Sequence, residues 1–165
     1  MTVCKSEKIA GQLLLSVVQY KSLDEAKKIV PIIGDQYIKS ISARGLVAWG
    51  NVPIETVSYL IDKGLDINSI DEYTGQNALF DAMIYSFMDK DAIKCQIDRY
   101  LPREEKWKVE EQTQSYYSYY QDLVDLLKKR TDFIITVNKR GRTPSELAYE
   151  RADRMLESFY INDNL

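Results

Sequence analysis

Histidine is absent from this chain of 165 residues. That removes the commonest general base, the usual zinc and haem ligand, and every Ser-His or Cys-His catalytic pair. Carboxylates and lysine remain as possible catalytic groups, but no motif recruits them. Cysteine is scarce: Cys4 and Cys95 are the only two. A disulfide framework would need more, in a smaller secreted chain, so both are read as reduced thiols of a cytoplasmic protein. Long apolar runs are missing. Leu13-Leu14-Leu15 and Ile29-Val30-Pro31-Ile32-Ile33 fall well short of the roughly 20 residues that a membrane span requires. Residues 1–10 lack a basic region followed by an apolar core and a small-residue cleavage site, so no signal peptide is expected. There is no metal-ligand spacing, no phosphate-cradling glycine loop and no nucleophile elbow. The expectation is a protein without metal, cofactor or catalytic residues, and not an enzyme.

What is present is enough for one domain with a real core, of ordinary globular composition. The net charge of −3 argues against non-specific nucleic-acid binding. That charge is uneven. Residues 55–81 carry six acids and one lysine, whereas residues 128–142 carry six bases and one acid.

Apolar periodicity reads as helices throughout. Ile9, Leu13 and Val17 form one stripe, with Leu14 and Val18 beside it. Ser22 and Glu25 make a capping-box pattern for a second helix, with Ala26, Ile29, Val30 and Ile33 facing inward. Pro31 should end or kink that helix, and Gly34 is a plausible stop. A helix is expected from Ser42 to Trp49, stopped by Gly50-Asn51. Pro53 suits the first turn of the next helix, whose buried side is Val57, Leu60 and Ile61. Asn77 to Phe87 reads as another, with Ala78, Leu79, Ala82 and Met83 as core. Thr143, Pro144 and Glu146 open a last one, along which Ala152, Met155, Leu156, Phe159 and Tyr160 form an apolar stripe.

Two stretches between these helices echo each other. One is Asn138-Lys139-Arg140-Gly141-Arg142-Thr143-Pro144-Ser145-Glu146-Leu147-Ala148; the other is Asp71-Glu72-Tyr73-Thr74-Gly75-Gln76-Asn77-Ala78-Leu79. Each reads as a tight turn followed by a capped helix. Gly75 and Gly141 lie 66 residues apart, which is twice a period of roughly 33 residues. With Lys63-Gly64-Leu65-Asp66-Ile67-Asn68 ahead of the first turn, the pattern resembles the ankyrin repeat family, whose Thr-Pro opens the first helix of a unit. The resemblance covers residues 41–81 and 123–149. It departs from the family in having Ser145 and Glu146 in place of Leu-His, and Phe80 where the His would stand.

The resemblance implies an all-α, ankyrin-type α-solenoid of about four helix-turn-helix units in a single domain spanning 1–165. Those units would cover about 6–33, 41–68, 75–130 and 141–165, with short finger turns between them. Residues 89–114 break the phase. They are either an inserted helical pair or an eroded repeat. The absence of glycine there and the presence of only Pro102 favour the insertion, with helices over about 91–101 and 103–130.

The family's binding surface is made of finger tips and exposed first-helix positions. Carried over, these are Glu72, Tyr73 and Thr74, then Lys139 and Arg140, with Phe80, Asp81, Ile84 and Tyr85 along the helix. Aromatic and Arg side chains dominate interface energetics, which singles out Tyr73, Tyr85 and Arg140. Finger tips are also polar simply because they are solvated. In Tyr116-Tyr117-Ser118-Tyr119-Tyr120, three tyrosines share a face with Leu123 and Leu127 and read as partly core, while Tyr117 points elsewhere and is a candidate contact. Trp107 sits among charges and is either an interface marker or packed back on its neighbour. Lys128-Lys129-Arg130 most simply complements a helix C-terminus.

These residues lead to an expectation of a protein–protein interaction module, a monomer or one member of a hetero-complex. It would contact no nucleic acid and no membrane. A toxin-neutralising immunity protein or a host-interacting effector fits this size. The alternative is a regulatory module, or an enzyme with a cleft shaped by residues 89–114.

Overall fold

The computed structural model describes residues 23–50 and 52–162. Among them are seven α-helices and no strand. The helix expected near residues 6–18, the Ser22 cap and Cys4 lie outside the described residues, as do the side chains of Ile33, Phe159 and Tyr160.

Helix α1, Leu23–Ile33, carries Pro31 in its last turn and stops at Gly34, whose N–H donates to the Val30 carbonyl at 2.9 Å. A 3-10 segment, Asp35–Ser40, leads to α2, Ala43–Trp49. Ser42 caps α2, its hydroxyl accepting from the Gly45 N–H at 3.2 Å. Gly50 then ends it at φ 63, and a Cβ there would lie 2.7 Å from the Tyr120 hydroxyl. The position therefore needs glycine both for the left-handed turn and for the close approach. Helix α3 is Ile54–Asp62; Pro53 sits at its N-cap, one place earlier than expected.

Helix α4, Ala78–Ser86, is capped by Asn77, whose side chain accepts from the Phe80 N–H at 2.9 Å. Helix α5, Lys90–Tyr100, is capped by Asp89. The expected continuous helix from Arg103 begins instead as a 3-10 segment, Arg103–Lys108, and becomes α6 over Val109–Arg130. The reason is local. Lys106 reaches back to the Asp98 carbonyl and carboxylate, pinning the segment to the end of α5. At about 1.5 Å per residue, the 22 residues of α6 make a rod of roughly 33 Å. The last helix, α7, is Pro144–Asn162. Thr143 and Glu146 cap it reciprocally: the Thr143 N–H donates to the Glu146 carboxylate at 2.8 Å, and the Glu146 N–H to the Thr143 hydroxyl at 3.3 Å.

Two apolar clusters hold these helices together. Val30, Leu46, Leu60, Leu79, Leu123 and Leu127 join α1, α2, α3, α4 and α6. Phe80, Ile84, Ile93, Ala148 and Ala152 join α4, α5 and α7. Helix α4 contributes to both, so it is apolar on both faces and buried on both. This overturns the exposure expected of Phe80, Asp81 and Ile84. Phe80 is wholly buried because α5 and α7 cover the face that was read as open, and Asp81 and Ile84 are buried beside it. No helix of the described residues is long and apolar enough to cross a membrane.

Candidate functional site

The two glycine turns are neighbours in space. In the first, Asp71 accepts from the Tyr73 and Thr74 N–H groups at 3.1 and 2.7 Å, and the Gly75 N–H donates to the Asp71 carbonyl at 2.8 Å. In the second, Asn138 accepts from the Arg140 and Arg142 N–H groups at 2.9 and 3.0 Å. Gly75 and Gly141 have φ values of 72 and 71, so each turn is built on the same left-handed residue. The Lys139 N–H donates to the Thr74 carbonyl at 2.9 Å, and the Lys139 ammonium reaches the Glu72 carbonyl. The turns thus form one continuous rim.

Beside the first of these turns runs an open groove. One half, about 640 Å³, is lined from α2, α4, α7 and the first turn. The other half, about 760 Å³, continues between α5, α6 and α7 and is walled by Tyr85, Tyr116, Tyr119 and Tyr120. Ala48, Tyr85 and Arg151 line both halves.

Arg44 organises the first half. Its Nε donates to the Asp81 carboxylate at 2.6 Å, one terminal nitrogen to Gln76 Oε1 at 3.0 Å, and the other lies 3.1 Å from the Asp71 carboxylate. Burial pushes the Asp81 carboxyl above the ordinary aspartate range, against the opposing pull of Arg44. Asp71 is shifted the other way, chiefly by the Thr74 N–H and hydroxyl, with Arg44 adding to the effect. Arg44 was not among the sequence candidates. One signal existed: a basic residue in the first turn of a helix opposes the macrodipole and needs partners elsewhere.

The second half is a tyrosine shelf. Tyr85 and Tyr120 stack with centroids 4.9 Å apart, and Tyr116 lies 4.7 Å from Tyr120. Two of the hydroxyls are tied to backbone, while that of Tyr119 is buried without a hydrogen-bond partner. Tyr120 donates to the Val47 carbonyl at 3.0 Å and Tyr116 to the Tyr85 carbonyl at 3.2 Å. Burial raises the Tyr119 phenol to about 12 and pushes Tyr116 and Tyr120 up as well. The Arg151 guanidinium lies over the open face of Tyr85 at 4.8 Å.

The sequence candidates separate accordingly. Glu72, Tyr73, Lys139 and Arg140 sit on the rim, all exposed, with Tyr73 at 90%. Tyr85 is half-buried on the groove floor, and Asp81 lies under it, bound to Arg44. Phe80 is inside the core and cannot meet a partner without unfolding. Tyr117 is half-buried against the α4–α5–α7 cluster and spends its hydroxyl on the Met88 carbonyl at 2.6 Å. Trp107, 73% exposed, stands apart on the α5–α6 connection with the Lys108 ammonium 5.4 Å from its ring centre. Arg130, in the basic cluster that ends α6, pairs with Asp62 at 2.9 Å. Among the described residues, no group of three or more Cys, Asp or Glu side chains is arranged to hold a metal ion.

No protein-family model matches this chain, and no curated protein and no solved structure was found to match it.

Proposed function

We propose that this chain is a protein-interaction module, an ankyrin-type helical stack that holds a partner protein against its groove. The observation carrying this reading is the groove itself. Its floor is shared by three helices, α2, α4 and α7, and the first of the two hydrogen-bonded turns borders it. The doubled spacing of Gly75 and Gly141, and the family-like sequences around them, support the ankyrin assignment. The groove is open and long, suited to a polypeptide segment, and aromatic and Arg side chains stand at its centre. Neutralising a toxin or engaging a host protein is the form of binding that this size suggests.

An enzyme or regulatory module is the second reading, and Asp81 is its one specific support, as a buried carboxylate at a groove. Its charge is already taken by Arg44 at 2.6 Å, which favours a structural role for the pair. Affinity capture with quantitative mass spectrometry tests the binding reading. Ala48→Trp, which fills the junction of the two halves, should remove the captured partner while the fold survives. Capture of the same proteins at the same yield by both forms would contradict it.

A further inference from the structure

Among the charges that line the groove, cations without an ion-pair partner outnumber such carboxylates, of which Asp66 is one. Asp71 and Asp81 share Arg44, and the Asp66 carboxylate accepts the Asn68 and Ser69 N–H groups at 3.0 and 3.1 Å. Arg142 pairs with Glu150, and Arg154 donates to the Glu150 carbonyl at 3.2 Å. Among the described residues that line the groove, Lys39, Arg151 and Arg154 form no ion pair with a carboxylate, although Arg151 is near enough to Asp81 to favour its charged form. Arg151 is the best placed of the three. Its guanidinium rests on Tyr85, Tyr85 stacks on Tyr120, and Tyr120 is bonded to Val47 of α2. The shelf presents a cation at a fixed place, and stacking leaves the edge nitrogens of a guanidinium available to an anion. Beside it the groove turns apolar. Met88, Ile93, Ile97 and Met155 line the second half with the tyrosines.

We infer that the segment of the partner seated in this groove is an acidic–apolar peptide, with an Asp or Glu carboxylate on Arg151 and an apolar side chain beside it in the tyrosine-lined half. This deepens the proposed function and rests on the groove being the binding face. Charged complementarity of this kind sets specificity and association rate, and a bidentate Arg–carboxylate pair fixes register. The tyrosine half supplies burial for the neighbouring side chain.

A displayed library of random twelve-residue peptides, selected on the whole chain, tests it. Enriched peptides should share an acid with an apolar residue close by. A synthetic peptide from the selection should bind Arg151→Glu at least about tenfold more weakly than the parent, by fluorescence anisotropy. Replacing the peptide's acid by lysine should restore part of the affinity for Arg151→Glu and for no other form. Arg151→Gln, which keeps the stem and drops the charge, should fall between, and thermal melts should leave all forms folded.

The outcomes separate. Peptides without an acidic preference that are still blocked by Ala48→Trp overturn the inference and leave the groove as the binding face. Peptides indifferent to both substitutions overturn both, as does an empty selection. A labelled single-stranded oligonucleotide that binds at physiological salt and displaces the peptide would instead assign the Arg151 shelf to nucleic acid.

Discussion

The backbone N–H of Lys139 donates to the carbonyl of Thr74 at 2.9 Å, joining two turns built around glycines 66 residues apart. That bond makes the two turns one object, and the first of them borders the groove. It also explains why the two glycines are not equivalent. A Cβ at Gly75 would lie 2.7 Å from Lys139 Cγ and 3.1 Å from the Lys139 backbone nitrogen, whereas nothing lies within 4 Å of one at Gly141. Gly141→Ala should therefore cost only the left-handed conformation, about 1 kcal/mol. Gly75→Ala should cost about 1 kcal/mol more, because the second turn must also move away. Urea unfolding of the two variants measures the difference, and equal costs would separate the turns energetically.

Gly50 and Tyr120 should be coupled. Tyr120→Phe removes the hydroxyl that donates to Val47 and should cost about 1–2 kcal/mol. Gly50→Ala clashes with that same hydroxyl, at 2.7 Å. The double variant should be more stable than the sum of the two losses predicts, in a double-mutant cycle read by denaturant unfolding. Strict additivity would mean that the clash is not what glycine avoids.

Phe80→Ala should cost about 3–5 kcal/mol, since a wholly buried ring between α4, α5 and α7 leaves a cavity that rigid helices cannot close. A change within about 0.5 kcal/mol in thermal or urea unfolding would restore Phe80 to the surface.

The joint between α5 and α6 gives a pH signature. Lys94 and Lys90 hold the Glu110 carboxyl at about 2, below its ordinary 4.5. A carboxyl depressed in the folded state contributes stability that is present above its unfolded value and lost as pH falls through its folded value. Glu110→Gln should thus be less stable than the parent above about pH 4.5, with the gap closing between there and about pH 2. All three groups reach solvent, so salt should shrink the gap. Urea midpoints across that pH range decide it: a gap that persists unchanged to the acid end would place its origin elsewhere.

The turns were legible in the sequence because their chemistry is local. Asp71 and Asn138 cap their own turns, Gly75 and Gly141 supply the left-handed residue, and Asn77 and Thr143 cap the helices that follow. Ser42 and Gly50 bounded α2 for the same reason. The groove was not legible. Arg44 meets partners 27 to 37 positions further along, and Arg151 reaches Tyr85 from the last helix. Helical periodicity places Phe80 and Ile84 on one face of α4 but does not say that α5 and α7 will cover it. The tyrosine run divided much as its spacing required, with Tyr119 and Tyr120 in the α1–α2–α3–α4–α6 cluster, Tyr116 touching both clusters and Tyr117 turned toward the α4–α5 connection.

The most direct test of partner binding at the groove is site-specific photocrosslinking. A photoreactive phenylalanine analogue is placed at Ala48 in the groove, at Tyr73 on the rim, or at Asp125, an exposed position on α6 that does not line it. The account predicts one partner protein crosslinked from Ala48 and Tyr73, and none from Asp125. Crosslinks from Asp125 with silence at Ala48 and Tyr73 would contradict it.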